Sequence, residues 1–269
     1  MDSPFDIPAI PIRVSAYVFD ETTIGKLSTL VTAEVDVRGF AFTQKDERWN
    51  DTLELFMVTV HRESGEFLRV DQAIEMKLSQ GTKDRLGRTW YPIIREFELK
   101  PGAYQAKIVV RDRNSGRIGS ATHEFIVKEP IEFRTCTPVV SDTLEPKKDP
   151  KDAPRPAIVA HREFESGSSV YVLLDIYAAE KDAKTAMPQV SMGYEVRRVS
   201  DGTLWTSVEP SVIRPTSLGK VNRLVGFKLE DAPPGEYVIV MDVADEIGNR
   251  KLQMREPFTV TPAPPKPGS

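Results

Sequence analysis

The sequence of 269 residues is poor in cysteine and has no long apolar run. Its single thiol, Cys136, excludes an intrachain disulfide and has no second cysteine for a metal site, so stability must come from packed cores. The acidic N-terminal residues lack the basic start and apolar stretch of a signal peptide, and no stretch approaches the roughly 18 apolar residues of a membrane span. We therefore expect no membrane insertion.

The chain also has only a small excess of negative over positive charge. The formal net charge is −4 and the isoelectric point is about 5.6. No run of Lys or Arg is longer than two residues, as in Lys147-Lys148, whereas proteins that wrap phosphates carry a basic face and a high isoelectric point. The composition predicts no nucleic-acid partner.

Motifs for catalysis and cofactor binding are missing as well. The three histidines, His61, His123 and His161, stand far apart, and no His-Glu-x-x-His pattern places two metal ligands on one helical face. The sequence has no Gly-x-Ser-x-Gly elbow and no glycine-rich phosphate or dinucleotide loop. We expect no catalytic residue, metal or cofactor, and a protein that is not an enzyme, although sequence alone does not exclude paired carboxylates of the glycosidase type.

What the chain does contain is an internal repeat. Pro101-Gly-Ala-Tyr104 returns as Pro234-Gly-Glu-Tyr237, and from each tyrosine the same eight steps lead to an aspartate, Asp112 or Asp245. Apolar residues alternate after each tyrosine and a turn follows, which is typical of a β-hairpin. The duplication predicts an all-β protein with two tandem immunoglobulin- or fibronectin III-like β-sandwiches of about seven strands each.

The internal repeat and the positions of the 21 prolines indicate where the domains begin and end. We predict a first sandwich over residues 1–129, a second over 130–261, and a disordered proline-rich tail over 262–269. Local patterns predict a polar loop over 39–51 and a short helix over Ser79–Arg88 capped by Thr82. They also predict strands over Ile131–Val140 and Ile158–Phe164 at the start of the second domain.

Two groups of aromatic residues stand out. Tyr104 and Tyr237 follow Pro-Gly corners, so we predict structural tyrosine corners with buried rings and hydroxyls bonded to the backbone. Trp49, Trp90 and Tyr91 lie in loops or at strand ends, where an aromatic ring either plugs the end of a sandwich or offers a stacking platform to a ligand.

Acidic turn residues give a further alternative. Oxygen ligands at one end of a β-sandwich are typical of calcium sites in extracellular modules, but hairpin turns favour Asp and Asn without any metal. The residues concerned are Asp112 and Asn114 in the first repeat, and Asp242, Asp245, Glu246 and Asn249 in the second. Calcium binding stays open at this stage, with the turn interpretation favoured.

Six short segments carry a resemblance to a known family: Ile12–Tyr17, Leu53–Leu55, Val110–Asp112, Phe133–Thr135, Gly193–Arg197 and Arg255–Phe258. With these segments the layout resembles the C-terminal region of the von Willebrand factor A-related proteins described as acidobacterial. The resemblance spans nearly the whole chain, and it rests on core and turn residues. It implies an accessory β module of an exported protein, without the A domain or its Asp-x-Ser-x-Ser metal motif.

The sequence and this resemblance together lead to one functional expectation and one alternative. The expected function is a non-catalytic structural or protein-interaction module of a larger exported protein, with a periplasmic or extracellular location implied by the resemblance. The alternative is a β-sandwich module that binds glycan or peptide through Trp49, Trp90 and Tyr91.

Overall fold

A computed structural model describes residues 6–147, 149 and 153–263, and this part of the chain is all-β apart from one short helix. The chain divides into two compact units, one of Met1–Lys128 with Val159–His161 and the other of Glu129–Ile158 with Arg162–Ser269. Among the described residues, no helix has the length and apolar character that a membrane crossing requires. Most of the predicted tail, residues 264–269, lies outside the described residues.

Unit 1 contains eight strands and the helix among its described residues. They are β1 (Ile12–Thr23), β2 (Lys26–Val35), β3 (Thr43–Lys45), β4 (Arg48–His61), β5 (Phe67–Leu78), α1 (Gln80–Thr89), β6 (Tyr91–Leu99), β7 (Gly102–Asp112) and β8 (Ile118–Val127). One antiparallel sheet has the order β1-β2-β6, and the other has the order β5-β4-β7-β8, with β3 beside the start of β4.

The two sheets of unit 1 share one hydrophobic core. Their inward-facing residues alternate with less buried ones, as in β7, where Ala106, Ile108 and Val110 are all fully buried. Leu27 and Val31 from the smaller sheet join the same cluster. Since each fully buried aliphatic side chain contributes about 1.5–3 kcal/mol, this cluster is the main source of stability for a β-sandwich-like unit.

Two local expectations in unit 1 need correction. The predicted loop over 39–51 contains a hairpin, because Asp46 and Glu47 both adopt positive φ (51° and 59°) and form a two-residue turn between β3 and β4. No glycine marks this turn, so the sequence gives little sign of it. Helix α1 begins one residue later than predicted, and its cap is Ser79, whose side chain accepts a hydrogen bond from the backbone N–H of Thr82.

Unit 2 contains nine strands among its described residues. They are β9 (Arg134–Thr135), β10 (Val139–Ser141), β11 (Glu163–Glu165), β12 (Ser169–Tyr177), β13 (Val190–Arg198), β14 (Leu204–Ile213), β15 (Val221–Lys228), β16 (Gly235–Asp245) and β17 (Arg250–Thr261). One sheet has the order β10-β12-β15, with β9 also paired to β12, and the other has the order β11-β17-β16-β13-β14.

The inner faces of these two sheets also meet. The ring of Phe227 on β15 lies 6.2 Å from that of Phe258 on β17, and Tyr194 on β13 lies 6.1 Å from Phe227. The predicted strand over Ile131–Val140 is wrong as one element, because Pro138 has no N–H for a ladder and the chain forms two short strands on either side of it.

The predicted strand over Ile158–Phe164 is also wrong, since only its last two residues join a strand, β11. Residues Val159–His161 instead belong to unit 1. Tyr17 donates to the carbonyl of Val159 at 2.7 Å, and the carboxylate of Glu34 accepts from the N–H of Ala160 at 3.2 Å. Glu34 also lies 2.9 Å from the Nδ1 atom of His161. These polar contacts hold the segment in place without a strand ladder.

Candidate functional site

The turn after β7 is organised by a buried carboxylate. Asp112 is fully buried, and its oxygens accept hydrogen bonds from the N–H groups of Asn114 at 2.9 Å and Ser115 at 3.2 Å, and from the Ser115 hydroxyl. The same carboxylate accepts from the N–H of Ala41 at 2.9 Å. Asp112 therefore fastens the loop after β2 to the β7–β8 turn.

Unit 2 repeats this arrangement at the matching position. Asp245, 1% exposed, accepts from the N–H of Gly248 within its own turn and from the N–H of Glu180 in the loop after β12, both at 3.0 Å. The Nε and Nη2 atoms of Arg250 lie 3.1 and 2.5 Å from the same carboxylate. Burial alone would raise the pKa of Asp245, but the two N–H groups and Arg250 outweigh it and hold the pKa below its usual value.

An arginine five residues after each aspartate completes the arrangement, which we call the turn clamp: Asp112 with Arg117 and Asp245 with Arg250. Arg117 donates to the carbonyl of Gly39 at 2.9 Å, and Arg250 donates to the carbonyl of Ala178 at 3.0 Å. Both carbonyls lie two residues before the N–H group that the aspartate holds. The duplication seen in the sequence thus extends to the hydrogen bonds of each clamp.

In unit 1 a second carboxylate lies beside the clamp. Asp51 on β4 is 6% exposed, and its Oδ2 atom has no hydrogen-bond partner among the described residues. Burial, together with the neighbouring carboxylate of Asp112, raises the pKa of Asp51 to about 6. The pKa of Asp112 is lowered, because donation from Ser115 and Ala41 outweighs burial. Below about pH 6 the pair therefore holds one proton, which is carried on Asp51.

These contacts bear on the calcium alternative. The oxygens of Asp112 and Asp245 already accept from the N–H, hydroxyl and guanidinium groups named above. Among the described residues, no group of three or more His, Cys, Asp or Glu side chains is arranged to hold a metal ion. The hydrogen bonds of both aspartates are those of turn-forming carboxylates.

The predicted platform residues do not form one surface. Trp49 donates its indole N–H to the side chain of Gln80 at 2.7 Å, at the start of α1, and Trp90 is the C-terminal cap of that helix. The ten residues of α1 place the two helix ends about 15 Å apart. Tyr91 begins β6, and its half-buried side chain packs against the core of unit 1.

Both tryptophan rings already carry a cation on one face. The ammonium of Lys83 lies 4.1 Å from the centroid of Trp49, and the guanidinium of Arg13 lies 4.1 Å from that of Trp90. Each ring is half-buried. An incoming ligand would have to displace the cation to stack on that face.

The tyrosine corners have the predicted geometry. The hydroxyl of Tyr104 donates to the carbonyl of Lys100, and that of Tyr237 donates to the carbonyl of Pro233, each at 3.0 Å and four residues back along the chain. Tyr104 is 6% exposed and Tyr237 is 1% exposed. Their rings stack on Phe125 and Phe258, with centroids 5.6 and 5.5 Å apart. Both tyrosines thus have a buried ring and a hydroxyl bonded to the backbone.

Tyr104 also borders a cavity of about 520 Å³ that the sequence did not predict. His61 and Ser64 lie in its wall, and the Ser64 hydroxyl is 3.1 Å from Nδ1 of His61. Such a pair is the minimal geometry of an activated serine. The backbone N–H of Ser64 points to the same Nδ1 atom at 3.1 Å, however, so the contact closes the β4–β5 turn. The Nε2 atom of His61 lies 3.3 Å from the carbonyl of Pro101.

Comparison with known proteins yields little. No family model and no curated protein matches the chain. The soluble domain of PmoD from Methylocystis sp. ATCC 49242 (Rockwell) superposes at a TM-score of 0.26 with 11% identity, over 46% of this chain and 89% of that chain. Escherichia coli alpha-2-macroglobulin activated by porcine elastase gives a TM-score of 0.25 with 9% identity, over 94% of this chain and 22% of that chain. The structure titled pT26-6p gives a TM-score of 0.21 with 7% identity, over 95% of this chain and 64% of that chain. Scores this low identify neither a family nor a function.

Proposed function

We infer that this protein is a non-catalytic structural or protein-interaction module built from two tandem immunoglobulin- or fibronectin III-like domains. In support, unit 1 sets the three-stranded order β1-β2-β6 against the order β5-β4-β7-β8. In unit 2, β12 and β15 face β17, β16, β13 and β14 in corresponding positions. A tyrosine corner at the start of β7 and of β16 adds a recurrent feature of such sandwiches.

The observation that favours this function over the alternative is the cation that lies over each tryptophan ring. A glycan-binding platform needs an open aromatic face, and Lys83 and Arg13 already cover one face of Trp49 and one face of Trp90. The rings then serve the sandwich itself. What each unit offers to a partner is its exposed strand surface and loops, which suits recognition of another protein.

The resemblance to the von Willebrand factor A-related proteins adds the wider context of the proposal. It suggests that the two domains belong to a larger exported protein and work in the periplasm or outside the cell. It names no binding residue, so the partner has to be found by experiment.

The function is tested by binding and by labelling. The purified chain is used to capture proteins from an envelope extract of the source organism, and each candidate is then titrated against the chain as a pure protein. We expect saturable, stoichiometric binding to a protein that tolerates Trp49→Phe and Trp90→Phe. Saturable binding of a soluble oligosaccharide that is lost in Trp49→Ala or Trp90→Ala would favour the alternative instead.

A fluorophosphonate probe examines the non-catalytic part of the proposal. We expect no labelling, because the His61 and Ser64 contact closes a turn. Stoichiometric labelling that disappears in Ser64→Ala and persists in Ser168→Ala would show an activated serine and would overturn it.

A further inference from the structure

Strand β5 forms an open edge of the larger sheet in unit 1. Its twelve residues pair with β4 in one continuous register, from Phe67 opposite Val60 to Leu78 opposite Trp49, without a bulge. In the part of the chain that the structure describes, no strand pairs with its other side. A long, regular edge of this kind is a template for a further strand.

The pattern of backbone hydrogen bonds to β4 shows which residues of β5 direct their N–H and C=O groups toward the open edge. His61 donates its backbone N–H to the carbonyl of Glu66, and the antiparallel alternation then directs the backbone groups of the even-numbered residues of β5 toward β4. The odd-numbered residues direct theirs away from the sheet. They are Phe67, Arg69, Asp71, Ala73, Glu75 and Lys77, all exposed.

The matching edge in unit 2 is protected. Strand β14 occupies the position of β5, but its pairing with β13 shifts register between Met192 and Tyr194 and again between Val196 and Arg197. It also contains Pro210, which has no N–H to donate. Bulges and proline are the usual means by which proteins block edge pairing, and β5 has neither.

We propose that β5 is a self-association site, at which a second copy of this chain adds its own β5 antiparallel across a two-fold axis at Gln72. In this register Arg69 stands opposite Glu75 of the second copy, and Phe67 stands opposite Lys77 of the second copy. All hydrogen-bonded pairs then join odd-numbered residues, as the backbone phase requires. Each such pair exchanges two N–H···O bonds between the copies.

The charges along β5 select this register. Moving the axis to residue 73 puts Arg69 opposite Lys77 and Asp71 opposite Glu75, so every charged pair is repulsive. Moving it to residue 74 pairs Asp71 with Lys77, but it shortens the paired segment and leaves Phe67 outside. The axis at Gln72 has no like-charge pair directly opposite and uses the longest segment.

Apolar exposure favours the same register. Phe67 is 61% exposed and Leu68 is 45% exposed. The pairing places Lys77 of the second copy beside the ring of Phe67, where a cation is favourable, and Met76 of the second copy opposite Leu68. Two exposed apolar side chains thus gain partners in each copy. This association goes beyond the proposed function, because it does not depend on what else the protein binds.

Cross-linking tests the register directly. The only native cysteine, Cys136, is 2% exposed, so an engineered thiol on β5 is the one available for oxidation. In Gln72→Cys the two thiols face each other in a non-hydrogen-bonded pair, with Cα atoms about 4.5 Å apart, within disulfide reach. In Ala73→Cys the two thiols are offset by two residues and exceed that reach. We expect a covalent dimer for Gln72→Cys and little for Ala73→Cys.

Sedimentation equilibrium of the full chain tests the energetics. We expect a monomer–dimer equilibrium whose Kd rises about tenfold in Arg69→Glu and returns toward the native value in Arg69→Glu with Glu75→Arg, which restores unlike charges. Arg255→Glu reverses an exposed charge on β17 and should leave the Kd unchanged.

A monomer at all concentrations, equal cross-linking at positions 72 and 73, or a dimer insensitive to Arg69→Glu would overturn the self-association site. None of these results would bear on the capture and labelling tests of the proposed function. Conversely, an oligosaccharide ligand would leave the β5 pairing standing.

Discussion

The two units close the same hairpin turn with a buried aspartate, but the charged groups around that aspartate differ. Both close the hairpin after the tyrosine-corner strand with a buried aspartate that also holds a loop from the other side of the sandwich. In unit 2 the guanidinium of Arg250 lies directly against Asp245. In unit 1 the corresponding Arg117 donates to the carbonyl of Gly39, and the group beside Asp112 is the carboxylate of Asp51.

This difference shows that the hydrogen-bond geometry of the clamp and its charge balance are separable. The geometry follows from the position of the aspartate at the end of its strand and recurs in both units. The charge balance depends on the neighbouring strand, where Leu53 pairs with Asp112 and Val190 pairs with Asp245. Two residues earlier, unit 1 has Asp51 and unit 2 has Pro188. Stability should therefore depend on pH in opposite directions at the two sites.

The largest effects should come from the tyrosine corners, where the two units are most alike. We expect Tyr104→Ala and Tyr237→Ala each to lower the free energy of unfolding by about 3–5 kcal/mol, because each removes a buried, stacked ring. Tyr→Phe at either site should cost only about 1 kcal/mol, the loss of one hydroxyl hydrogen bond.

Tryptophan fluorescence during denaturant unfolding separates the units, since Trp49 and Trp90 report on unit 1 and Trp205 on unit 2. A loss below 1 kcal/mol in a well-folded Tyr→Ala variant would contradict the structural role of that corner. A large loss at one site only would show that the two corners are not equivalent.

Removing the clamp aspartates should separate the units more clearly. Asp245→Ala leaves the N–H groups of Glu180 and Gly248 without their acceptor and Arg250 without its counter-ion, so we expect a loss of about 2–3 kcal/mol at pH 7.5. Asp112→Ala also loses its hydrogen bonds, but it relieves Asp51 of a neighbouring negative charge. Its net loss should therefore be smaller.

The double variant Asp51→Asn with Asp112→Ala measures that relief. If repulsion between the two carboxylates matters, the cost of Asp112→Ala should be larger in the Asp51→Asn background than in the native chain. Equal costs in both backgrounds would show that the carboxylates do not interact.

Much of the fold was accessible from the sequence, because it rests on local patterns. Alternating apolar residues after Tyr104 and Tyr237 predict the hairpins, and the Pro-Gly corners predict the buried tyrosines. All-β architecture and the duplication follow from the same patterns. The hairpin at Asp46 and Glu47 was not accessible, since its second positive φ angle falls on a glutamate where such turns usually have glycine.

The candidate site was much less accessible, because it depends on contacts between distant residues. Asp51 occupies an ordinary position in an alternating strand, and only the register of β4 against β7 brings it next to Asp112. Whether Trp49 and Trp90 are open platforms depends on where Lys83 and Arg13 fall. The openness of β5 likewise depends on what pairs with its far side, which no local pattern records.

The smallest effect, and the one that tests the charge comparison most directly, concerns Asp51. Its pKa is raised in the folded state from 3.8 to about 6, so its protonated form favours folding. This contribution is fully present below pH 3.8 and is lost as the pH rises through about 6. Asp51→Asn keeps the shape and removes the titration, so we expect this variant to be more stable than the native chain by roughly 1–2 kcal/mol at pH 7.5, and the gain to shrink toward pH 4.

Asp245 provides the opposite case within the same molecule. Its pKa is lowered in the folded state, so its contribution is present above its ordinary value of 3.8 and is lost as the pH falls through the folded value. Unfolding of unit 1 and unit 2 is followed by the tryptophans of each from below pH 3.8 up to pH 8. We expect Asp51→Asn to change the pH profile of unit 1 alone, and the contribution of Asp245 to be lost only at the acidic end. A variant less stable than the native chain at pH 7.5, or an unchanged profile, would mean that Asp51 is ionised without penalty and that the two clamps have the same charge balance after all.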